Sequence, residues 1–277
     1  MKQALLLGRA QQAFGEVGEA AEANVAVALS RGGAAKPYAH TDPNEDTVLA
    51  ASGSQGFLVA AADGHWGLRA SEAAIERLRD EFVRDWVDGP EHSADQWYQD
   101  LLHALLALNE VVFASHTDDV MPRTTFAIAL ARPREGLLVA ASIGDTHLFV
   151  ATPDAVREML PKPRKFHVLG QAHWSASKLE QIARFEVQPL AGVEALIAAT
   201  DGLSEPGIGV ADPHAAVRTA IDAARTLPLA RRAQATARAI VDAALAAHVA
   251  QQAGDNIGAA VAWRPRTSTA VSALLEK

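Results

Sequence analysis

The stretch Leu58-Val59-Ala60-Ala61-Ala62-Asp63-Gly64-His65-Trp66-Gly67 decides how this chain is read. An apolar run as long as a buried strand ends on a carboxylate, and the glycine after it permits a tight turn. The run reads as a strand that delivers Asp63 to the rim of a sheet. Asp-Gly is also an ordinary turn dipeptide, so one such delivery carries little alone. Upstream, Gly53-Ser54-Gln55-Gly56 is a turn signal, preceded by the apolar Val48-Leu49-Ala50-Ala51. A hairpin centred on Ser54 and Gln55 sets Asp46 directly across from Asp63, because antiparallel pairing puts the start of one strand beside the end of the next. Two such carboxylates repel, and one must take a proton unless a cation sits between them.

The delivery recurs. Leu137 to Ile143 is a second apolar run, closed by Gly144-Asp145, and hairpin arithmetic with Thr124 to Ala131 places Asp145 across from Arg123 and Thr124. Ala195-Leu196-Ile197-Ala198-Ala199-Thr200-Asp201-Gly202 repeats the opening motif, and Asp255-Asn256-Ile257 precedes a last strand over 258–263. Acids at five strand edges, Asp46, Asp63, Asp145, Asp201 and Asp255, can be gathered by antiparallel pairing on one rim, and that pattern predicts a metal site. The chain has no Cys, and its His residues form no HExxH arrangement. The ligands would be oxygen throughout, which selects Mg2+ or Mn2+ over Zn2+. Glycine beside the Asp, at Gly64 and Gly202, leaves a backbone carbonyl as a further ligand. Two such ions can share a water, lower its pKa and neutralise charge developing on a phosphate ester. His65 is then the candidate general acid for the leaving oxygen; its plainer reading is an exposed loop histidine. No GxSxG, P-loop or helix-opening GxGxxG supports acyl transfer or a nucleotide fingerprint.

Helical periodicity fills the intervals. Ile75, Leu78, Phe82 and Trp86 recur at helical spacing within 68–87, and Trp97, Leu101, Leu105, Leu108 and Val112 do so within 94–115. Asp212-Pro213 is a helix start, and an Ala-rich helix is expected over 229–252. Residues 1–21 read as a short helix or a loose extension, and 24–29 as a strand. Phe185 to Pro189 reads as an edge strand. Residues 152–183 show no clear period, and their basic cluster Lys162, Arg164 and Lys165 reads as a solvated surface or a substrate-steering patch. The strands over 57–62, 137–143 and 195–200 are apolar on both faces, so each needs cover on both sides. Hairpin-paired strands with helices grouped in twos predict an α+β fold of four layers, two antiparallel sheets face to face with helices outside.

The bulk numbers agree. The chain has 277 residues, 49% of them hydrophobic, and a formal net charge of −8. That composition supports a substantial core, and the acidic balance argues against nucleic acid or an anionic membrane as partner. The apolar run in Met1 to Leu7 is too short for a signal peptide, no run is long enough for a membrane helix, and absent Cys suits a reducing compartment. A cytoplasmic protein is expected.

Taken together, Asn44-Glu45-Asp46, Ala62-Asp63-Gly64-His65, Thr124-Thr125, Ile143-Gly144-Asp145, Thr200-Asp201-Gly202-Leu203-Ser204 and Gly254-Asp255-Asn256 resemble, in order, the motifs of the metal-dependent protein serine/threonine phosphatases, the PPM or type 2C family. The resemblance spans about residues 24–264. It implies an αββα sandwich with a binuclear Mn2+ or Mg2+ centre. Asp46 and Asp63, with the Gly64 carbonyl, would bind the two ions; Asp201 and Asp255 would complete one shell; Asp145 with Asp201 would match a third-metal site of bacterial members. Glu45 would act through water, with Asn256 and Thr124 behind the ligands, and Asp63, His65 and Asp201 would carry the catalysis. Residues 1–21 would be an N-terminal extension, 22–264 the phosphatase domain, 152–183 within it the variable flap, and 265–277 a C-terminal tail.

The chain departs from the family at four places. Thr41 stands where an Arg usually grips the substrate phosphate, Arg123 where a Gly precedes the Thr pair, His147 where an Arg follows the Gly-Asp-Ser, and Trp66 where a Gly is common. Arg123, Lys36 or Arg31 is expected to supply the missing charge, with Arg123 favoured by its predicted neighbour Asp145. The resemblance implies hydrolysis of phosphoserine and phosphothreonine in proteins phosphorylated by a serine/threonine kinase, by a monomer, in signalling. The alternative is a pseudo-phosphatase, a regulatory module that binds metal and a phosphoprotein without turnover; a further one is hydrolysis of a small phosphate ester.

Overall fold

The computed structural model describes residues 1–38, 40–161 and 165–264. Its first decisive feature is the hairpin. The Gly53 amide donates to the Gly56 carbonyl at 2.9 Å, and the strands leave the turn with Ser52 opposite Phe57 and Asp46 opposite Asp63. The hairpin strands take their place in chain order. Strand β1 is Lys2–Leu7, β2 Gly18–Glu22, β3 Val25–Ser30, β4 Asp46–Ser52 and β5 Phe57–His65. Then come helices α1 (Arg69–Leu78), α2 (Arg84–Asp88) and α3 (Ala94–Ala114), with a π-helical turn, Arg79–Val83, joining the first two. The remaining strands are β6 (Arg123–Thr124), β7 (Phe126–Arg132), β8 (Leu137–Ile143), β9 (His147–Ala151), β10 (Val156–Met159), β11 (Arg184–Pro189), β12 (Ala195–Ala199) and β13 (Ile257–Trp263). Helix α4 is Ala176–Ile182, α5 Pro213–Arg225 and α6 Leu229–Gln251.

The strands form two antiparallel sheets. One has the order β1-β4-β5-β7-β8-β11, with β6 added to β5; the other runs β10-β9-β12-β13-β3-β2. Small side chains such as Ala50, Ala61, Ala129, Ala140, Ala198 and Ala260 fill the space between the sheets. Outside the first sheet, α1 and α3 bury Ile75, Leu78, Trp97, Leu101 and Leu105; outside the second, α5 and α6 bury Ile221, Ile240 and Val241. The sandwich therefore has the four layers its doubly apolar strands require. Helix starts follow the capping rules: Ser93 and Gln96 form a reciprocal capping box, and the Asp212 carboxylate accepts from the Ala215 amide at 2.9 Å.

Three sequence expectations change. Residues 1–21 are mainly strand, because Lys2–Leu7 pairs along the edge of β4 and Gly18–Glu22 along β3, with a single 3-10 turn at Gly8–Ala10. The 152–183 stretch is partly regular, holding β10 and α4. Asp145 does not lie across from Thr124: the β7–β8 ladder stops at Phe126 opposite Ile143, Gly144 turns the chain away at φ +90°, and Thr124 bridges Leu169 instead. Lys162, Arg164 and the tail at 265–277 lie outside the described residues. Among the described residues, no helix is long and apolar enough to cross a membrane.

Candidate metal centre

The rim shared by the β4–β5 hairpin, the turn after β8, the turn after β12 and the start of β13 carries all five acids. Register sets Asp46 beside Asp63. Oxygen atoms of Asp63, Asp145 and Asp201 lie within 4.8 Å of one another. Asp201, Asp63, Asp145 and Glu45 line a cavity of about 580 Å3, with Lys36, His65 and Trp66 on its walls.

The segments that carry the acids are held from behind. The Thr124 hydroxyl and the Thr125 amide donate to the Asp63 carbonyl at 2.8 and 2.9 Å, which pins the end of β5. Asp201 opens a 3-10 turn in which the amides of Ser204 and Glu205 donate to its carbonyl, each at 2.7 Å. The turn that carries Asp145 is braced by Arg184, which donates to the Gly144 carbonyl at 2.8 Å. Thr200, just before Asp201, donates its hydroxyl to Asp46 Oδ2 at 2.6 Å. Asn256 accepts from the Glu45 amide at 2.9 Å and donates to the carbonyls of Arg31 and Pro43, so it ties the loop before β4 to the start of β13.

The electrostatics point to a missing positive charge. Burial pushes the Asp46 carboxyl up to about 7, with the nearby Asp255 adding to it and Lys36 opposing. Burial also drives Asp63 and Asp201 well above the usual carboxylate range, reinforced for Asp63 by Asp201 and Asp46 and for Asp201 by Asp255 and Asp145. Asp46 is 1% exposed, and its Oδ1 has no hydrogen-bond partner. A buried carboxylate oxygen without a donor is costly unless a cation uses it. An all-oxygen donor set with such an orphaned atom fits a hard divalent cation.

The remaining candidates have mixed placements. His65 is half-buried, with Nε2 3.7 Å from Asp63 Oδ2, between the rings of Trp66 and Phe166; burial lowers its pKa. Glu45 turns Oε1 to the amides of Thr41, Asp42 and Gly67, at 3.2, 3.2 and 2.6 Å. Arg123 is not among the residues lining the acid cavity. It pairs with His65 across β5–β6 and packs its guanidinium 5.0 Å from the Trp66 ring. Its predicted neighbour Asp145 is replaced by that aromatic face. Arg31 is turned away onto Phe14. Lys36 does reach the acids, as an ion pair with Asp255 at 2.7 Å. The Gly202 carbonyl is no spare ligand, because His248 Nε2 donates to it at 2.8 Å.

Sequence reasoning gave no role to Tyr38, whose hydroxyl donates to Asp255 Oδ2 at 2.5 Å, or to His147. The buried His147 lies 2.6 Å from both Glu158 Oε1 and Ser204 Oγ, tying β9 and β10 to the Asp201 turn. Tyr38 reaches Asp255, and His147 reaches Ser204, across long chain separations that no local pattern reports.

An antiparallel αββα sandwich with acids gathered at one rim is the architecture of metal-dependent protein phosphatases. The chain belongs to the protein phosphatase 2C family, whose model matches residues 35–247. Solved structures share the fold. A PPM Ser-Thr phosphatase from Mycobacterium smegmatis, in complex with cacodylate, is 21% identical with a TM-score of 0.58, covering 89% of this chain and 100% of its own. The Mycobacterium tuberculosis serine/threonine phosphatase PstP is 19% identical with a TM-score of 0.58, covering 87% and 98%. A bacterial serine phosphatase is 16% identical with a TM-score of 0.62, covering 87% and 98%. Among curated proteins, none matches the chain by sequence.

Proposed function

We propose that this chain hydrolyses phosphoserine and phosphothreonine in proteins at a centre of two Mn2+ or Mg2+ ions. The observation that carries the reading is the convergence of Asp63, Asp145 and Asp201 oxygens within 4.8 Å beside the orphaned Asp46 Oδ1. Asp63 and Asp46, with the Gly64 carbonyl, would hold the ions from the β4–β5 hairpin; Asp201 and Asp255 would hold one of them from the second sheet. Asp145, with Asp201, would hold a third. When bound, the ions would supply a water of lowered pKa and offset charge developing on the phosphate. His65 would donate the proton to the leaving serine or threonine oxygen, and Glu45 and Thr124 would keep the Asp63 strand and the preceding loop in place. A related PstP catalytic domain was crystallised with two manganese ions, which supports the count.

A second reading, a metal-binding module without turnover, is favoured by one observation. Thr41 takes the place of the phosphate-gripping Arg, and two of its expected replacements, Arg123 and Lys36, are engaged with Trp66 and Asp255. The discriminating experiment is release of phosphate from phosphoserine and phosphothreonine peptides with Mn2+, with chelator, and in Asp201→Asn. Hydrolysis that needs Mn2+ and is lost in the variant supports the enzyme. Phosphopeptide binding without release supports the module, and hydrolysis indifferent to both changes removes the cation centre.

A further inference from the structure

The two ends of the acid cluster are not equally provided with donors. Asp46 Oδ1 has none. Asp255 has a donor on each oxygen: Oδ1 faces Lys36 Nζ and the Asn256 amide, each at 2.7 Å, and Oδ2 accepts from the Tyr38 hydroxyl at 2.5 Å. The Lys36 side chain is only 6% exposed, so this is a buried ion pair. Its backbone is clamped to the same site. The Ala35 carbonyl accepts from the Gly254 amide at 2.9 Å, and a Cβ on Gly254 would lie 2.0 Å from the Ala34 carbonyl oxygen. Burial alone would lower the Lys36 pKa, but the fields of Asp255, Asp63 and Asp46 raise it above its ordinary value. An ammonium paired with Asp255 does part of what a divalent cation would do there.

We propose that Lys36 and Tyr38 compete with a divalent cation for Asp255, so that a cation position using Asp255 fills last and only by displacing the Lys36 ammonium. This rests on the cation-binding reading above. An ammonium donates hydrogen bonds, whereas a metal ion takes lone pairs, and Oδ1 and Oδ2 cannot serve both in one direction. Because Ala35 is fastened to Gly254, displacement moves the Lys36 side chain out of the cluster while the loop backbone stays.

The test uses the full chain freed of metal with chelator, titrated with Mn2+ by calorimetry, beside mass-spectrometric mapping of lysine acetylation. Lys36 is expected to resist acetylation without Mn2+ and to become reactive at saturation. Lys36→Met should tighten the weaker Mn2+ class about tenfold, equivalent to ~1.4 kcal/mol. Tyr38→Phe should shift it less, in the same direction. In an Asp255→Asn background, Lys36→Met should change nothing further. An unchanged weaker class in both single variants overturns the proposal. So does tightening in Lys36→Met while Lys36 of the wild-type chain stays protected at saturation, since that is a field effect without displacement. Equal Mn2+ binding by wild type and variants sinks the competition alone; no Mn2+ binding by any of them sinks the cation centre with it. The acetylation measurement needs no variant, so a misfolded Lys36→Met leaves the proposal open to refutation.

Discussion

Asp63-Gly64 and Asp201-Gly202 are one dipeptide at the ends of two buried strands, yet the chain leaves them differently. After Asp63 the strand continues through Gly64 to His65, and both pair with Thr124 and Arg123 of β6. After Asp201 the chain coils at once into a 3-10 turn. The glycines differ accordingly. The Gly64 amide donates to the Glu45 carbonyl at 3.1 Å, whereas the Gly202 carbonyl accepts from His248 at the end of α6. One motif is tied in through its amide to the neighbouring strand, and the other uses its carbonyl to fasten a helix. An identical local sequence therefore fixes where each carboxylate stands but not what the residue after it does.

The largest effects should separate the two aspartates themselves. If Asp63 serves both ions of the pair and Asp201 only one of them, Asp63→Asn should abolish binding of the pair, while Asp201→Asn should remove one of its ions and keep the other. Partners behind a metal ligand already cost 10–100-fold, so losing the ligand should lower kcat/KM by about 1,000-fold or more in both variants. Calorimetric stoichiometry beside phosphopeptide kinetics reads both quantities. Loss of both ions of the pair in the two variants alike would break the distinction between the two aspartates.

The glycines sharpen it next. A Cβ on Gly202 would lie 1.9 Å from the Asn256 carbonyl oxygen, and one on Gly64 2.6 Å from the Glu45 carbonyl oxygen. Both neighbours are backbone, so neither gives way as a side chain would. Gly202→Ala is expected to cost ~3 kcal/mol or more and Gly64→Ala less, at ~1–2 kcal/mol, in urea unfolding. His248 comes after them. It is fully buried, accepts from the Gly33 amide at 3.3 Å and donates to Gly202. His248→Ala leaves a buried amide and a buried carbonyl without partners, for a loss of ~2 kcal/mol. A His248→Ala chain as stable as wild type would mean that the second turn needs no fastening from behind.

Much of this fold and part of its site can be read along the chain. The hairpin register from Gly53 to Gly56 set Asp46 against Asp63, because turn length fixes pairing and side chains alternate with period two. The helices announced themselves through apolar spacing and caps. Failure came where the deciding contact is long-range. Residues 2–7 pair with β4 through backbone groups that their composition does not advertise. Arg123 was expected at Asp145, but β6 crosses to β5 and Leu169 takes the place opposite Thr124. Gly202 looked like Gly64 until a histidine 46 positions away reached its carbonyl. Tyr38 and Lys36 sit in a loop without periodicity, so their hold on Asp255 left no mark in the sequence pattern.

The smallest effect concerns pH, and it weighs the two sides of the rim together. Asp46 in the folded chain holds its proton up to about 7, and Asp63 and Asp201 are shifted the same way, mainly by burial. Unfolded, each would release its proton near ~4, so between that value and about 7 the native state binds more protons than the unfolded one. Stability in chelator should therefore fall as pH rises through that interval, and it should be fully retained only below it. Asp80 and Asp88, whose pKa values are lowered by hydrogen bonds from Arg79 and the Ser54 amide, act in the opposite sense but at lower pH. A melting temperature followed from pH 5 to 7.5 should drop by roughly 5 °C in chelator. With Mn2+ the slope should flatten, because a bound cation favours the ionised carboxylates that burial opposes. Asp46→Asn in chelator should remove part of the slope. A melting temperature that stays flat across that interval in chelator would show that the buried acids are already ionised at pH 5.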